Sequence, residues 1–194
     1  MLNGKYITLR KVEETDLPVL MQWLTSSDFA SALRGSLLTN EAQGRVNSII
    51  DENLNLYGEL QYFIVEDKKH ELLGLLMFTY INWKDRNLLI EIYLGEEKKR
   101  GALYGADAII LATIYAFHHL NVHRVGMYIN EFNYNAIGIA SKVATYEGRL
   151  KKQAFHNGKH WDVLVFGILR DEFEKKLPNA LNLGFDYVKT KKYY

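Results

Sequence analysis

The sequence contains no cysteine, and only two prolines, Pro18 and Pro178, occur in its 194 residues. The absence of thiols excludes disulfides, thiolate metal sites and a cysteine nucleophile. No apolar run reaches the roughly 20 residues that a membrane-spanning helix needs, and the N-terminal segment lacks the apolar core of a signal peptide. We therefore expect a cytoplasmic protein that does not associate with membranes.

Neither sign of charge dominates, because the sequence has 24 Lys and Arg residues and 23 Asp and Glu residues. Proteins that bind nucleic acid through their overall electrostatic field carry a clear excess of positive charge. This chain has no such excess, so no nucleic-acid partner is expected. Apolar residues make up 48% of the chain, an ordinary proportion for a globular protein. No linker rich in Gly, Ser or Pro separates the two prolines, which favours a single domain.

The pattern of apolar residues predicts a mixed α/β protein. Helices are expected after Asp16, which is placed as the cap with Pro18 in the first turn, and from Thr39. Two further helices follow from apolar residues at helical spacing over 106–117 and 135–144. Alternation and polar turns, including the hairpin signal Asn157-Gly158, predict strands over 6–10, 62–66, 72–83, 88–94, 124–130, 150–156 and 161–169.

The chemistry is concentrated where the fourth predicted strand runs into the long helix, over residues 92–106. The turn between them holds Lys98, Lys99, Arg100 and Gly101. The first amides of a helix have no internal partner and lie at the positive end of its dipole, and glycine lets an anion approach them closely. This pattern favours a phosphate cradle, although a basic surface turn that uses glycine for its backbone angles fits the same residues.

Within this segment Arg100 and Gly105 stand at the first and last positions of the motif [RQ]-x-x-G-x-[GA], with Leu103 at the middle glycine. The segment resembles the acetyl-CoA diphosphate loop of the GNAT family of N-acetyltransferases. The similarity extends over residues 2–175, in the order of the branch of ribosomal-protein alanine acetyltransferases. It is carried by Leu9-Arg10, Asp16-Leu17, Trp23, Leu120 to Val125, Asn133 with Ala136, the turn Glu147-Gly148-Arg149-Leu150, and Asp162 to Phe173.

The resemblance implies a fold and a co-substrate. The fold is α/β, of the mixed α+β kind, with a central, mostly antiparallel sheet that splays between its fourth and fifth strands and is flanked by helices. Residues 1–176 form a single GNAT domain, and 177–194 form a C-terminal tail. Acetyl-CoA is the implied co-substrate, and its contacts fall on Tyr93, Leu94, Arg100, Gly101, Ala102, Leu103, Tyr104, Gly105 and Asn133.

Two residues are the catalytic candidates. Glu91 is an acid in an otherwise apolar strand, and partial burial raises the pKa of a carboxyl toward a value suited to a general base. An outward-facing glutamate paired with a Lys or Arg is the alternative. In many relatives a tyrosine donates a proton to the leaving thiolate from the position where this chain has Ala140. Tyr134 is therefore the candidate proton donor here, and Ser141 and Tyr146 are the other nearby hydroxyls.

The acceptor is a primary amine, and the absence of cysteine favours its direct attack on the thioester in a ternary complex. A small molecule (amino sugar, polyamine or aminoglycoside) is expected. A protein N-terminal α-amine and a non-catalytic acyl-CoA-binding module are the alternatives. The protein is expected to be a monomer or a homodimer. No metal is expected, since the histidines do not have the spacing of metal ligands. Candidate acceptor contacts are Trp23, Phe29, Tyr80, Trp83 and the segment Thr25 to Leu38 with Arg34.

Overall fold

The computed structural model describes residues 1–27, 58–95 and 102–181, together with Phe29, Val46, Ser48 and Ile49. Four α-helices and eight strands have both of their bounds within these residues. The helices are α1 (Leu17–Leu24), α2 (Ala102–His118), α3 (Tyr134–Val143) and α4 (Arg170–Leu181). The strands are β1 (Leu2–Asn3), β2 (Ile7–Lys11), β3 (Gln61–Asp67), β4 (Leu72–Asn82), β5 (Asn87–Leu94), β6 (Arg124–Asn130), β7 (Thr145–His156) and β8 (Lys159–Leu169).

These elements confirm the predicted mixed α+β class. All seven predicted strands are present, and the short β1 precedes them, so the predicted fourth and fifth strands are β5 and β6. The β7–β8 hairpin turns at Asn157 and Gly158, whose φ angles of 50° and 72° suit a two-residue turn. The helix predicted from Thr39 lies largely outside the described residues. Of its described residues, Val46 and Ile49 are buried.

A single eight-stranded sheet has the order β1-β2-β3-β4-β5-β6-β8-β7. Among the described strands, β5 and β6 form the one parallel pair, and the others pair antiparallel. The parallel pairing covers only Asn87 with Arg124, Leu88 with Val125 and Leu89 with Gly126. Both strands continue beyond it, to Leu94 and Asn130. The sheet therefore splays between the predicted fourth and fifth strands.

The two faces of the sheet pack against different helices. On one face, which we call the α2 face, Ile90, Val125 and Met127 pack into one core with the buried side of α2. On the other, the α1 face, Met77 and Tyr93 pack with α1. Because side chains alternate along a strand, the face of each residue that flanks the splay follows from this division.

Asp16 is the N-cap residue of α1, as predicted, but its carboxylate makes no capping hydrogen bond to this helix. It receives two hydrogen bonds from Arg10, at 2.6 and 2.8 Å, and one from the Glu13 amide at 2.8 Å. Arg10 also donates to Glu66 on β3. The predicted cap position is confirmed, but the carboxylate is engaged elsewhere because it forms stronger, charge-assisted bonds with the guanidinium beside it.

We expect the Arg10–Asp16 pair to make stability depend on pH. Burial by itself raises the pKa of Asp16, but the Arg10 and Glu13 hydrogen bonds and the Arg10 charge outweigh it, so the pKa lies below its usual 3.8. A lowered pKa contributes stability above pH 3.8, and this contribution is lost as pH falls through the folded-state pKa. In urea unfolding, the free-energy difference between wild type and Asp16→Asn should be constant at neutral pH and shrink below pH 3.8. A difference that stays flat with pH contradicts the pairing.

The segment from Glu147 to Leu150, predicted as a turn, lies inside β7. Pairing with β8 shifts between Tyr146 and Gly148, so Glu147 occupies a bulge. Its carboxylate is held by both terminal nitrogens of Arg124 on β6, and this hydrogen bonding keeps the pKa of Glu147 below its usual value. The turn prediction was wrong because the strand continues through a bulge that the sequence pattern does not distinguish from a turn.

Helix α4 begins directly after β8 and passes the predicted domain boundary at 176/177 before it ends at Leu181. Phe173 on its first turns packs on Phe117 of α2, with ring centroids 5.6 Å apart. The rest of the predicted tail lies outside the described residues. Within the described part of the chain, no helix has the length and apolarity needed to cross a bilayer.

Candidate active site

The opening between β5 and β6 begins where their pairing ends, at Leu89 and Gly126. The Leu89 side chain packs over Gly126, since a Cβ at Gly126 would lie 2.6 Å from Cδ2 of Leu89. Leu89 thus covers the base of the opening on the α1 face. Beyond Leu89 and Gly126 the described strands β5 and β6 have no further paired positions, which leaves an opening in the sheet between them.

Glu91 lies on the α1 face of β5, one alternation past Leu89. It is half-buried, and its register partner on β4 is Met77 of the α1-side core. The buried Thr79 hydroxyl donates to its Oε1 atom at 3.2 Å. The hydrogen bond from Thr79 therefore orients a half-buried carboxylate beside the opening.

The first turn of α2 follows the carboxyl end of β5. Arg100 and Gly101, two of the predicted diphosphate contacts, lie outside the described residues. Ala102 begins α2, so the amides from Ala102 to Gly105 belong to its first turn. Leu103, at the middle-glycine position of the motif, is 60% exposed. Gly105 is buried, and a Cβ there would lie 3.0 Å from Ile139 of α3, so this glycine also permits the two helices to approach.

Asp107 on α2, which the sequence analysis did not single out, anchors this helix to the start of β2. Its carboxylate accepts hydrogen bonds from the amides of Lys5, Tyr6 and Ile7 at 3.2, 2.6 and 2.9 Å. The residue is 1% exposed. The visible signal was an acid within the apolar stretch 106–117. Its partners could not be predicted, because they are main-chain groups about a hundred positions earlier.

Tyr93 and Leu94, predicted to contact the coenzyme through their backbones, lie at the carboxyl end of β5 and pair with Leu75 and Gly74 on β4. The Tyr93 ring is buried and packs edge-on against Trp23 and Phe29, with centroids 6.1 and 4.9 Å apart. Its side chain is thus part of the α1-side core. The main chain of this stretch runs along the opening.

Asn133 caps α3, with its Oδ1 atom accepting from the Ala136 amide at 3.1 Å. The resemblance assigned this side chain to the coenzyme, and the cap leaves its amide N–H groups for that role. Tyr134, the next residue, is 72% exposed. Ser141 donates to the Ile137 carbonyl at 2.8 Å, a bond within the helix. Ala140 is fully buried.

The aromatic residues predicted to line one acceptor pocket lie in two places. Trp23 and Phe29 pack around Tyr93 on the α1 face. Trp83 packs against the α2-side core and donates to the Gly58 carbonyl at 3.3 Å, while Tyr80 is 70% exposed at an irregularity of β4. Arg34 and most of the segment Thr25 to Leu38 lie outside the described residues. In the described ranges, no three acidic or histidine side chains group as metal ligands.

Comparison with known proteins identifies the class to which this fold and opening belong. A profile of the acetyltransferase (GNAT) domain matches residues 7–144. The chain therefore belongs to the GNAT acetyltransferase family. It is an acyltransferase that uses acetyl-CoA as its co-substrate, which confirms the family and co-substrate expected from the sequence. Membership of the ribosomal-protein branch stays a prediction.

Particular relatives are enzymes of amine acetylation. The spermidine N(1)-acetyltransferase of Vibrio cholerae serotype O1 is 29% identical over 112 residues, which span 57% of this chain and 64% of that enzyme. The uncharacterized N-acetyltransferase p20 of Bacillus licheniformis is 25% identical over 174 residues, 89% of this chain and 97% of that protein. The crystal structure of the Vibrio cholerae spermidine N-acetyltransferase in complex with CoA and spermine shares the fold, with a TM-score of 0.76 and 23% identity over 87% of this chain and 98% of that one.

Proposed function

We propose that the protein transfers the acetyl group of acetyl-CoA to a primary amine of a small molecule by direct attack in a ternary complex. The observation that carries the proposal is the opening between β5 and β6, with a half-buried, oriented glutamate on its α1 face. The similarity to a spermidine N(1)-acetyltransferase supports a polyamine as the acceptor class to test first.

In this proposal the coenzyme lies along the splay. The diphosphate binds the amides from Arg100 to Gly105, where the helix dipole of α2 favours an anion. The pantetheine arm runs between β5 and β6, along the main chain of Tyr93 and Leu94, with the Asn133 amide group beside it. Asp107 supports this arrangement by holding α2 to the start of β2.

Glu91 is the proposed general base. An alkyl amine has a pKa near 10, so it binds as the ammonium form and must lose a proton before it attacks. The carboxylate takes that proton directly or through one water, and the nitrogen then bonds to the thioester carbon. A main-chain amide in the opening is suited to stabilise the carbonyl oxygen as it gains charge. The carbon–sulfur bond breaks, the thiolate of CoA leaves, and the nitrogen loses its second proton to water to give the amide.

Coenzyme binding is tested by calorimetry with acetyl-CoA, CoA and pantetheine. We expect CoA to bind at micromolar concentration and pantetheine, which lacks the diphosphate, to bind at least tenfold more weakly. The reason is that charge-assisted bonds to main-chain amides supply much of the affinity. Equal affinities for the two ligands contradict the diphosphate site, and no association at millimolar CoA contradicts the whole proposal.

The reaction is tested by thiol release from acetyl-CoA with a panel of amines. The panel contains spermidine, spermine, an amino sugar, an aminoglycoside and a peptide with an unblocked N-terminus. Amine-dependent release with a small molecule supports the proposal. Release with the peptide alone supports the N-terminal acetyltransferase alternative. Tight CoA binding without release for any amine supports the non-catalytic module.

A further inference from the structure

A tyrosine of β6 lies across the opening from Glu91. The last paired residues are Leu89 and Gly126, so two positions further along each strand come Glu91 and Tyr128. Val125 and Met127 belong to the α2-side core, and alternation therefore directs Tyr128 to the α1 face, as it does Glu91. Tyr128 is half-buried and lies beside its β8 register partner Val165. A carboxylate and a phenol thus lie on opposite sides of the opening between β5 and β6.

We propose that Tyr128 is the proton donor to the departing thiolate, with Glu91 as the base on the opposite strand. This assignment rests on the proposed function. The chain has Ala140 where relatives place a donor tyrosine on the helix after β6, and Ala140 is fully buried. Tyr134 is 72% exposed, whereas Tyr128 lies within the sheet at the level of the base.

The bound ammonium gives one proton to the Glu91 carboxylate, and the neutral nitrogen then forms a bond to the thioester carbon. The carbon–sulfur bond breaks, and the sulfur receives the Tyr128 hydroxyl proton to leave as the thiol. The Tyr128 phenolate regains a proton from the nitrogen, which still carries one proton more than the amide product. Proton exchange with water restores the Glu91 carboxylate after product release. A thiol of pKa near 8.5 leaves moderately well without help, so the contribution of the acid is limited.

The charged groups near Tyr128 in the described part of the chain lie on β6 and β7. Arg124 precedes Tyr128 by four residues on β6 and interacts with it electrostatically. Glu147 on β7 holds the guanidinium of Arg124 in a two-point ion pair. The Glu147→Gln variant below therefore separates the effect of this ion pair from that of the Tyr128 hydroxyl.

The test is Tyr128→Phe, which removes only the hydroxyl. We expect kcat to fall about 10- to 100-fold, while the Kd for CoA measured by calorimetry changes less than twofold. A donor acts only while protonated, so kcat of the wild type should decline at alkaline pH. This decline should be absent in Tyr128→Phe and retained in Glu147→Gln. Tyr6→Phe, a matched change at the start of β2, should leave turnover and its pH profile unchanged.

Two results overturn the assignment while the wild type remains active. One is an unchanged kcat and alkaline decline in Tyr128→Phe, above all if Tyr134→Phe loses both. The other is a loss of CoA affinity as large as the loss of kcat, which assigns the hydroxyl to binding. A wild type that releases no thiol with any amine rejects the proposed function and this assignment together. Thermal melting of each variant verifies that it is folded.

Discussion

Replacement of Glu91 by glutamine is expected to lower kcat about 10²- to 10³-fold and to leave the Kd for CoA within twofold of the wild type. Glutamine keeps the shape of the side chain and can still accept from the Thr79 hydroxyl, which lies 3.2 Å from Oε1. It cannot take a proton, so the amine must lose its proton to water before it attacks. The loss matches the usual contribution of a positioned general base.

Steady-state thiol release with saturating acetyl-CoA measures this effect, and calorimetry measures the affinity. A base must be deprotonated to act, so the wild-type rate should rise with pH through the pKa of the base, and the variant should lose this dependence. Glu71→Gln, at the exposed turn before β4, is the matched control and should behave as wild type. Full turnover by Glu91→Gln would exclude Glu91 as the base and leave the fold and the coenzyme site standing.

The second large effect is on stability. Asp107→Ala is expected to lower the free energy of unfolding by about 3–5 kcal/mol, because three amides lose a charged acceptor at once. For a chain of this size the change lowers Tm by about 10 °C. Asp107→Asn keeps one oxygen acceptor and should cost about half as much. Urea unfolding and calorimetric melting measure both variants.

A double-mutant cycle with Gly4 separates this contact from a general loss of helix stability. A Cβ at Gly4 would lie 2.5 Å from the Oδ2 atom of Asp107, so Gly4→Ala alone should destabilise the protein. Once Asp107 is alanine, the added methyl group has space. The double variant should therefore be more stable than the sum of the single effects by about 1–2 kcal/mol. Additive effects would mean that the two residues do not meet.

Local pattern was sufficient for most of the elements. β6 was predicted at Arg124–Asn130 and has those bounds, because the alternation of Val125, Met127 and Ile129 is typical of a half-buried strand. The hairpin turn at Asn157-Gly158 followed from residues that tolerate positive φ. Local pattern was insufficient where a residue has two possible roles. Asp16 is the N-cap residue of α1, but its carboxylate pairs with Arg10 and not with the helix amides. Glu147 was predicted in a turn and occupies a bulge.

The candidate site was only partly visible in the sequence. Glu91 stood out because an acid interrupts an apolar strand. Which face of the sheet it occupies could be assigned only from the burial of the neighbouring residues in the structure. Tyr128 gave no such signal, since a tyrosine in a strand is an ordinary core or surface residue. Tyr128 becomes a candidate catalytic residue only because the register of β5 and β6 places it level with Glu91. Asp107 likewise became interpretable through main-chain donors far away in the sequence.

The sequence by itself determined the order of helices and strands, the membership of the family and the chemistry available, since these depend on periodicity, motif and residue type. The tertiary structure alone decided where the parallel pairing stops, which side chains share the α1 face and which carboxylates are already engaged. The physical reason is that register, burial and ion pairing are relations between residues distant in the chain. Short-range propensity carries no information about the distance between β5 and β6 or about the partners of Asp16 and Asp107.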